Sequence, residues 1–240
     1  IQIASLTGVY GVCFLVVFVN AYLASASLHI HEHRRMPRRQ TIVAALFLLG
    51  TLSYGYTRLS DDNMSDMSTF KVGVVQPSIP QSKKWDEQYS NIIFSSLLTS
   101  TRQLTAAGAD LVVWPESSLQ MYVPSTSMHI SELAQAIPEG HVLMAGLLET
   151  EHGKDGKKIY YNSVFALDDV GRIQGKYRKS HLAPFGEYIP YHQVLYFIDV
   201  LSILGGELKA GNAVYPIDTE LASIGAMICY EDIFPEIAAN

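Results

Sequence analysis

Two long apolar runs dominate the first sixty residues. Residues 6–28 carry no charged side chain, and residues 40–57 form a second uncharged run. An α-helix rises about 1.5 Å per residue, so runs of this length can cross a hydrocarbon core of about 30 Å. The absence of charge disfavours the alternative, two buried core helices. The pattern therefore predicts a pair of transmembrane helices.

A short basic loop joins these two predicted helices. It contains four arginines, at Arg34, Arg35, Arg38 and Arg39. Short arginine-rich loops stay in the cytoplasm, so both helices run outward and the chain beyond Arg58 is predicted to lie on the extracytoplasmic side. Three alternating histidines precede the arginines, at His29, His31 and His33. Because no cysteine accompanies them and their neighbours are cationic, we predict a solvated turn and no metal site.

The pattern changes after residue 70. Strand patterns cover residues 72–75, 110–114, 141–147, 160–167, 171–177 and 222–229, and helical spacing covers residues 86–107 and 130–136. Alternating strands and helices followed by several strands are typical of a layered α/β domain. We predict three parts: two transmembrane helices with a cytoplasmic loop (1–58), a polar linker (59–70) and an α/β sandwich domain (71–240).

Composition narrows the class of protein. The chain is 48% apolar and 17% charged, with a mean hydropathy of +0.14, which excludes a disordered chain. Beyond residue 60 there are 12 Lys and Arg against 22 Asp and Glu. This acidic part has no basic stripe, which argues against a nucleic-acid partner. The two cysteines, Cys13 and Cys229, cannot make a disulfide framework, so any role of Cys229 is that of a single thiol.

Three ionisable residues follow the ends of apolar strand patterns: Glu116, Lys179 and Cys229. Each has an ordinary structural explanation: a carboxylate near a helix start, a surface ammonium and a core thiol. Together they supply what thiol-based acyl transfer needs, namely a base, a cation for the oxyanion and a nucleophile. The backbone N–H of Tyr230 would be a second oxyanion donor. The triad implies no metal or organic cofactor.

The motifs around these residues resemble the Glu-Lys-Cys triad of the carbon–nitrogen hydrolase, or nitrilase, superfamily. Within it, the chain resembles the apolipoprotein N-acyltransferase family. The matching motifs are Gly8-Val9-Tyr10-Gly11, Val75-Gln76-Pro77, Lys84-Trp85, Trp114-Pro115-Glu116, Lys179-Ser180-His181-Leu182, Pro184-Phe185-Gly186-Glu187-Tyr188-Ile189-Pro190 and Cys229-Tyr230-Glu231. The implied fold is transmembrane helices followed by a nitrilase-like α-β-β-α sandwich, incomplete at its C-terminus.

The resemblance also implies an activity and residue roles. Cys229 would take a fatty acyl group from a phospholipid, typically phosphatidylethanolamine, and pass it to the amine of a diacylglyceryl-cysteine lipoprotein. Glu116 would be the general base, and Lys179 would support it and the oxyanion. Supporting residues would orient the triad or the amine (Glu187, Glu231) or lie near the substrate entrance (Trp85, Tyr230). The enzyme would be a multi-pass monomer of the bacterial inner membrane, with its catalytic domain periplasmic.

Other interpretations remain open from the sequence alone. The same triad with water as the acceptor would make a membrane-tethered amidase or nitrilase-like hydrolase. A catalytically silent membrane-anchored binding domain would tolerate Cys229→Ser, which a thiolate site would not. The apolar segment 191–204 is either a membrane-facing lid or an ordinary amphipathic core helix.

Overall fold

Two helices form the N-terminal part of the computed structural model. The structure describes residues 1–60, 69–119, 121–124, 133, 137–191 and 208–238, in two compact units, Ile1–Ser68 and Thr69–Asn240. In the first unit, α1 (Ala4–His33) and α2 (Arg38–Leu59) are each long and apolar enough to cross a membrane. Between them, Phe18 and Phe47 pack with ring centroids 5.1 Å apart, and the Tyr22 hydroxyl donates to Thr41 Oγ1 over 3.0 Å.

The helix pair differs in one respect from the sequence prediction. Helix α1 continues through the three histidines to His33, and the rings of His29 and His33 stack with centroids 4.3 Å apart. Only residues 34–37 connect the helices, so the predicted turn around the histidines is wrong. His29 and His33 are four residues apart and therefore lie on one face of the helix. The stacking of their imidazole rings stabilises the last turn. Arg34 then ends it in the left-handed conformation, with φ of 53°.

The described residues of the second unit include a mixed sheet of six strands. Its strands are β1 (Val72–Val74), β2 (Leu111–Val113), β3 (Tyr122–Pro124), β4 (Val142–His152), β5 (Lys158–Leu167) and β6 (Ile173–Arg178). The order is β1-β2-β4-β5-β6, with β3 also pairing with β4. Strands β1, β2 and β4 run parallel, and β5 and β6 follow as antiparallel neighbours. Strands β1 and β2 therefore end at the same edge of the sheet, and Glu116 follows β2 at that edge.

Helix α4 (Ser90–Ala106) covers one face of the sheet. The helices α3 (Gln81–Lys84) and α5 (Pro235–Ala238) are single turns, and 3-10 turns cover Glu87–Tyr89 and Cys229–Ile233. Leu97 of α4 packs in one core cluster with Trp114 and Phe165, and the Trp114 indole donates to Thr101 Oγ1 over 2.8 Å. Strand β4 is buried from Val142 to Thr150, as expected for a strand covered on both faces.

The other face of the sheet carries a small hairpin and the segment that leads to Cys229. Strands β7 (Ile217–Asp218) and β8 (Ser223–Ile224) form the hairpin, and Ile217 and Ile228 pack with Met144 and Tyr177 in a second core cluster. The sheet is thus layered between a helix and a second β element. This arrangement agrees with the predicted nitrilase-like α/β fold.

One predicted strand is wrong in extent. The apolar run at 222–229 predicts a single buried strand, but only Ser223–Ile224 is paired, opposite Ile217–Asp218. A strand persists only where a neighbour accepts its backbone hydrogen bonds, and the described hairpin supplies just two residue pairs. The predicted helix at 130–136, apart from Leu133, the segment 191–204, apart from Tyr191, and most of the linker 59–70 lie outside the described residues.

Candidate active site

Glu116 stands on a tight turn at the end of β2. The strand ends at Val113, two residues before Pro115, and Ser117, which follows Glu116, has a φ of 49°. The turn lies directly against Gly146 of β4: a Cβ placed there would sit 2.5 Å from the Pro115 carbonyl oxygen and 2.8 Å from the Glu116 Cα. The Ser118 amide also donates to the Gly146 carbonyl over 2.8 Å. Only glycine at position 146 lets the Glu116 turn pack this closely.

Asn162 of β5 links two carboxylates. Its Nδ2 donates to Glu116 Oε1 over 2.6 Å and to Glu187 Oε1 over 3.1 Å. The side chain is buried, and its Oδ1 has no hydrogen-bond partner among the described residues. The amide orientation is fixed because its two N–H groups must face the two carboxylates. Sequence reasoning missed Asn162, although a polar amide within the apolar strand pattern of 160–167 was a usable signal.

Lys179 follows β6 and is almost fully buried, at 1% exposed. Its Nζ donates to Glu187 Oε1 over 2.9 Å and lies 5.4 Å from the centre of the Tyr230 ring. The other oxygen of Glu187 accepts from the Ala183 amide over 2.7 Å. A buried ion pair needs such additional hydrogen bonds to offset the loss of water. Glu187 therefore joins the lysine, through Asn162, to Glu116.

Cys229 opens the last 3-10 turn in a constrained conformation. Its φ is 57°, in the left-handed region that non-glycine residues rarely occupy, and its side chain is exposed. Such a conformation costs about 1–3 kcal/mol and persists where the surroundings hold it in place. The thiol thus stands out from the turn that carries it, and the neighbouring contacts must supply the restraint.

The fully buried Glu231 supplies that restraint. Its Oε2 accepts from the Ile228 amide over 2.8 Å, while its Oε1 accepts from the Ser180 and His181 amides over 2.8 and 3.0 Å. The Tyr177 hydroxyl also donates to it over 2.9 Å. Burial alone would raise the pKa of Glu231, but these hydrogen bonds outweigh it and lower the pKa below its usual value. One carboxylate thereby ties the Cys229 turn to the loop after Lys179.

Tyr230 also connects these two segments. Its hydroxyl donates to the Leu182 carbonyl over 2.7 Å, and burial raises its pKa. The ring packs edge-on against Phe234, on which the His181 ring stacks with a centroid distance of 4.4 Å. Tyr230 therefore holds the loop that follows Lys179 and shields the ammonium group with its ring.

A cavity of about 510 Å³ lies on the face of the sheet that carries the Cys229 segment. Glu116, Asn162 and Cys229 line it, together with mostly apolar side chains such as Leu111, Met144 and Val164. The structure thus brings two of the three predicted catalytic residues to one cavity and connects the third, Lys179, through Glu187 and Asn162.

Trp85 lies elsewhere among the described residues. It ends α3 with its side chain 39% exposed, and its ring centre lies 5.9 Å from Lys84 Nζ. It is not among the described residues that line the 510 Å³ cavity. The predicted place of Trp85 near the substrate entrance therefore stays a prediction.

Comparison with known proteins identifies the family. The carbon-nitrogen hydrolase family model matches residues 71–240. Apolipoprotein N-acyltransferases of Geobacter metallireducens and Brucella suis are each 34% identical, over 99% and 98% of this chain and 46% and 45% of their own length. The chain thus spans about half the length of these curated relatives.

Solved structures share the fold. The Caenorhabditis elegans NitFhit protein matches 72% of this chain and 41% of its own chain, with a TM-score of 0.50 and 20% identity. At this identity the match concerns the fold alone. The family match covers the whole α/β part of the chain. This chain therefore belongs to the carbon-nitrogen hydrolase family, and its sequence is similar over nearly its whole length to apolipoprotein N-acyltransferases.

Proposed function

We propose that the protein containing this chain is an apolipoprotein N-acyltransferase that works through a thioester on Cys229. The observation that carries the proposal is that Cys229 and Glu116 line one largely apolar cavity. The similarity to enzymes named apolipoprotein N-acyltransferase supports it further. The acyl donor is a phospholipid, typically phosphatidylethanolamine, and the acceptor is the N-terminal amine of a diacylglyceryl-cysteine lipoprotein.

The first half-reaction forms the thioester. Glu116 removes the thiol proton of Cys229, and the thiolate attacks the ester carbonyl of the phospholipid. The Lys179 ammonium and the Tyr230 backbone N–H stabilise the oxyanion. As the tetrahedral intermediate collapses, the lysophospholipid alkoxide leaves and takes the proton from Glu116. Asn162 keeps the carboxylate in place through the hydrogen bond of 2.6 Å.

The second half-reaction forms the amide. The neutral α-amine of the lipoprotein attacks the thioester carbonyl, and Glu116 removes a proton from the attacking nitrogen. The Cys229 thiolate leaves, is protonated by Glu116, and the N-acylated product is released. Because the thioester separates the two steps, two bulky lipids need not occupy the site together.

The helix pair supports a membrane location. Helices α1 and α2 anchor the protein as part of a multi-pass monomer in the bacterial inner membrane, and the arginines beside Pro37 remain cytoplasmic. The catalytic domain is then periplasmic, where phospholipid and lipid-anchored lipoprotein reach it by lateral diffusion.

The test is the intact mass of the enzyme after exposure to donor lipid. The complete gene product is incubated in detergent with phosphatidylethanolamine alone, then given a diacylated lipopeptide. We expect one fatty acyl mass on the protein, removed by hydroxylamine and transferred to the peptide amine. Cys229→Ala should show none, while Cys13→Ala, which removes the thiol in α1, should match wild type. Free fatty acid without acylated peptide would indicate a hydrolase, and no adduct on folded protein would refute the thioester route.

A further inference from the structure

A second cavity, of about 420 Å³, opens beside Glu116 at the carboxyl ends of β1 and β2. In open α/β sheets, ligands bind outside the carboxyl ends of parallel strands. Its lining combines apolar side chains, such as Ile79, Ile93 and Trp114, with polar ones, Ser78, Lys84 and Ser117. A cavity of this size and mixed lining suits an amphipathic ligand.

The positive charge of Lys84 has no counterion among the described residues. Its Nζ donates to the Glu116 main-chain carbonyl over 3.2 Å, and no carboxylate in the described part of the chain lies within ion-pair distance of it. One of three ammonium N–H donors is thereby used. Lys84 also lies near the Trp85 ring, at 5.9 Å. The cavity therefore offers an uncompensated cation with donors to spare.

Two serine hydroxyls add to the polar part of the cavity lining. Ser117 is buried, at 8% exposed, and neither its hydroxyl nor that of Ser78 has a hydrogen-bond partner among the described residues. Both serines have positive φ, 51° for Ser78 and 49° for Ser117, so the two turns that carry them are held in a definite conformation. An ammonium and two free hydroxyls are suitable donors for an anionic oxygen-rich group.

We propose that this cavity binds the phosphate of a phosphodiester lipid and that Lys84 is its cationic contact. The inference rests on the proposed function, because a phospholipid donor carries its phosphate a few bonds from the ester that Cys229 attacks. Lys84 reaches the main chain of Glu116, so a phosphate held there lies next to the turn that carries the proposed base. The apolar part of the lining favours an amphipathic phosphodiester over a hydrated inorganic ion. Lys84 thereby selects the donor class.

The test compares a phosphate-bearing donor with a neutral one. In the complete gene product, Lys84→Met is assayed for thioester formation with phosphatidylethanolamine and with the p-nitrophenyl ester of the same fatty acid. We expect KM for the phospholipid to rise about tenfold and kcat to change little, because a charge-assisted contact to the ground state is lost. The KM for the neutral ester should rise much less than the KM for the phospholipid, and Lys84→Arg should recover most of the affinity.

Lys83→Met is the matched control. The neighbouring Lys83 lies over the Tyr89 ring, with its Nζ 4.9 Å from the ring centre, and does not line the cavity. Glycerophosphoethanolamine and inorganic phosphate are added as competitors to separate the two sources of phosphate. Inhibition by the glycerophosphodiester at far lower concentration supports a lipid headgroup site. Equal inhibition by inorganic phosphate would overturn the lipid assignment.

Two further outcomes separate this proposal from the proposed function. If Lys84→Met lowers kcat equally with both donors, Lys84 only positions the Glu116 turn and the phosphate site is refuted. If wild type forms a thioester and Lys84→Met is unchanged with both donors, the site is refuted while the acyltransferase stands. Absence of any thioester on folded wild-type protein would instead remove the proposed function, and this inference with it.

Discussion

The Nδ2 of Asn162 lies 2.6 Å from Oε1 of Glu116, so a side chain on β5 fixes a carboxylate that follows β2. The two strands are not neighbours, since β4 lies between them. The position of the proposed base therefore depends on the register of three strands. Asn162 is a positioning residue in this arrangement, and its replacement tests whether Glu116 needs a neutral donor.

Asn162→Asp should reduce acyl transfer about 100-fold or more, since it replaces a donor with a third carboxylate beside Glu116 and Glu187. Like charges disfavour the ionised base, so the acid limb of the kcat/KM profile should move to higher pH. The measurement is kcat/KM against pH in detergent, beside the thermal unfolding of the same sample. A kcat/KM profile and a stability that are both unchanged in Asn162→Asp would contradict the positioning role of Asn162.

Gly146→Ala should impair catalysis by displacing Glu116. The added methyl group would lie 2.5 Å from the Pro115 carbonyl, so the turn must move or the strand must distort. Overpacking of this kind costs about 1–3 kcal/mol of stability, and we expect kcat to fall at least tenfold. Gly50→Ala in α2 is the control, because a Cβ there meets no atom within 4 Å. Wild-type kcat in Gly146→Ala would show that the Glu116 position is not critical.

Glu231→Gln should destabilise the Cys229 turn in a pH-dependent way. The amide would point a donor at N–H groups that now donate to the carboxylate, at an expected cost of about 1–3 kcal/mol. Since folding lowers the pKa of Glu231, its stabilising contribution is present above the unfolded value of about 4.5 and is lost as pH falls through the folded pKa.

The measurement is the unfolding temperature of wild type and Glu231→Gln in detergent from about pH 7 down to about pH 3. The difference in unfolding temperature between the two proteins should be constant from neutral pH to about pH 5 and should narrow below about pH 4.5, as the carboxylate becomes protonated. Wild type should also keep the higher rate of thioester formation at pH 7, because the variant loosens the residue before Cys229. A gap independent of pH would show that the charge of Glu231 contributes nothing to stability.

The sequence was informative about the strands and about Glu116, Lys179 and Cys229, because apolar runs followed by isolated ionisable residues are local signals. It could not predict the links between them. Asn162 reaches Glu116 across 46 positions of the chain, and Gly146 matters only because another turn packs on it. The error at 222–229 has the same origin, since an apolar run describes one strand and says nothing about its partner.

The buried pair of Lys179 and Glu187 gives a final prediction. Their side chains are 1% and 9% exposed and joined over 2.9 Å. Removing one partner leaves an uncompensated buried charge, so Lys179→Met and Glu187→Gln should each destabilise the protein, by about 3–5 kcal/mol for a fully broken pair.

Lys179→Met combined with Glu187→Gln should destabilise the protein less than the sum of the single variants, because the double variant buries no unpaired charge at this site. The two variants that lack Lys179 should lose thioester formation, since Lys179 also serves the oxyanion. The measurement is a double-mutant cycle of unfolding free energies, with thioester mass as the activity readout. Additive free energies would show that the two side chains are not energetically coupled. Coupling with retained activity in Lys179→Met would instead confine the lysine to a structural role.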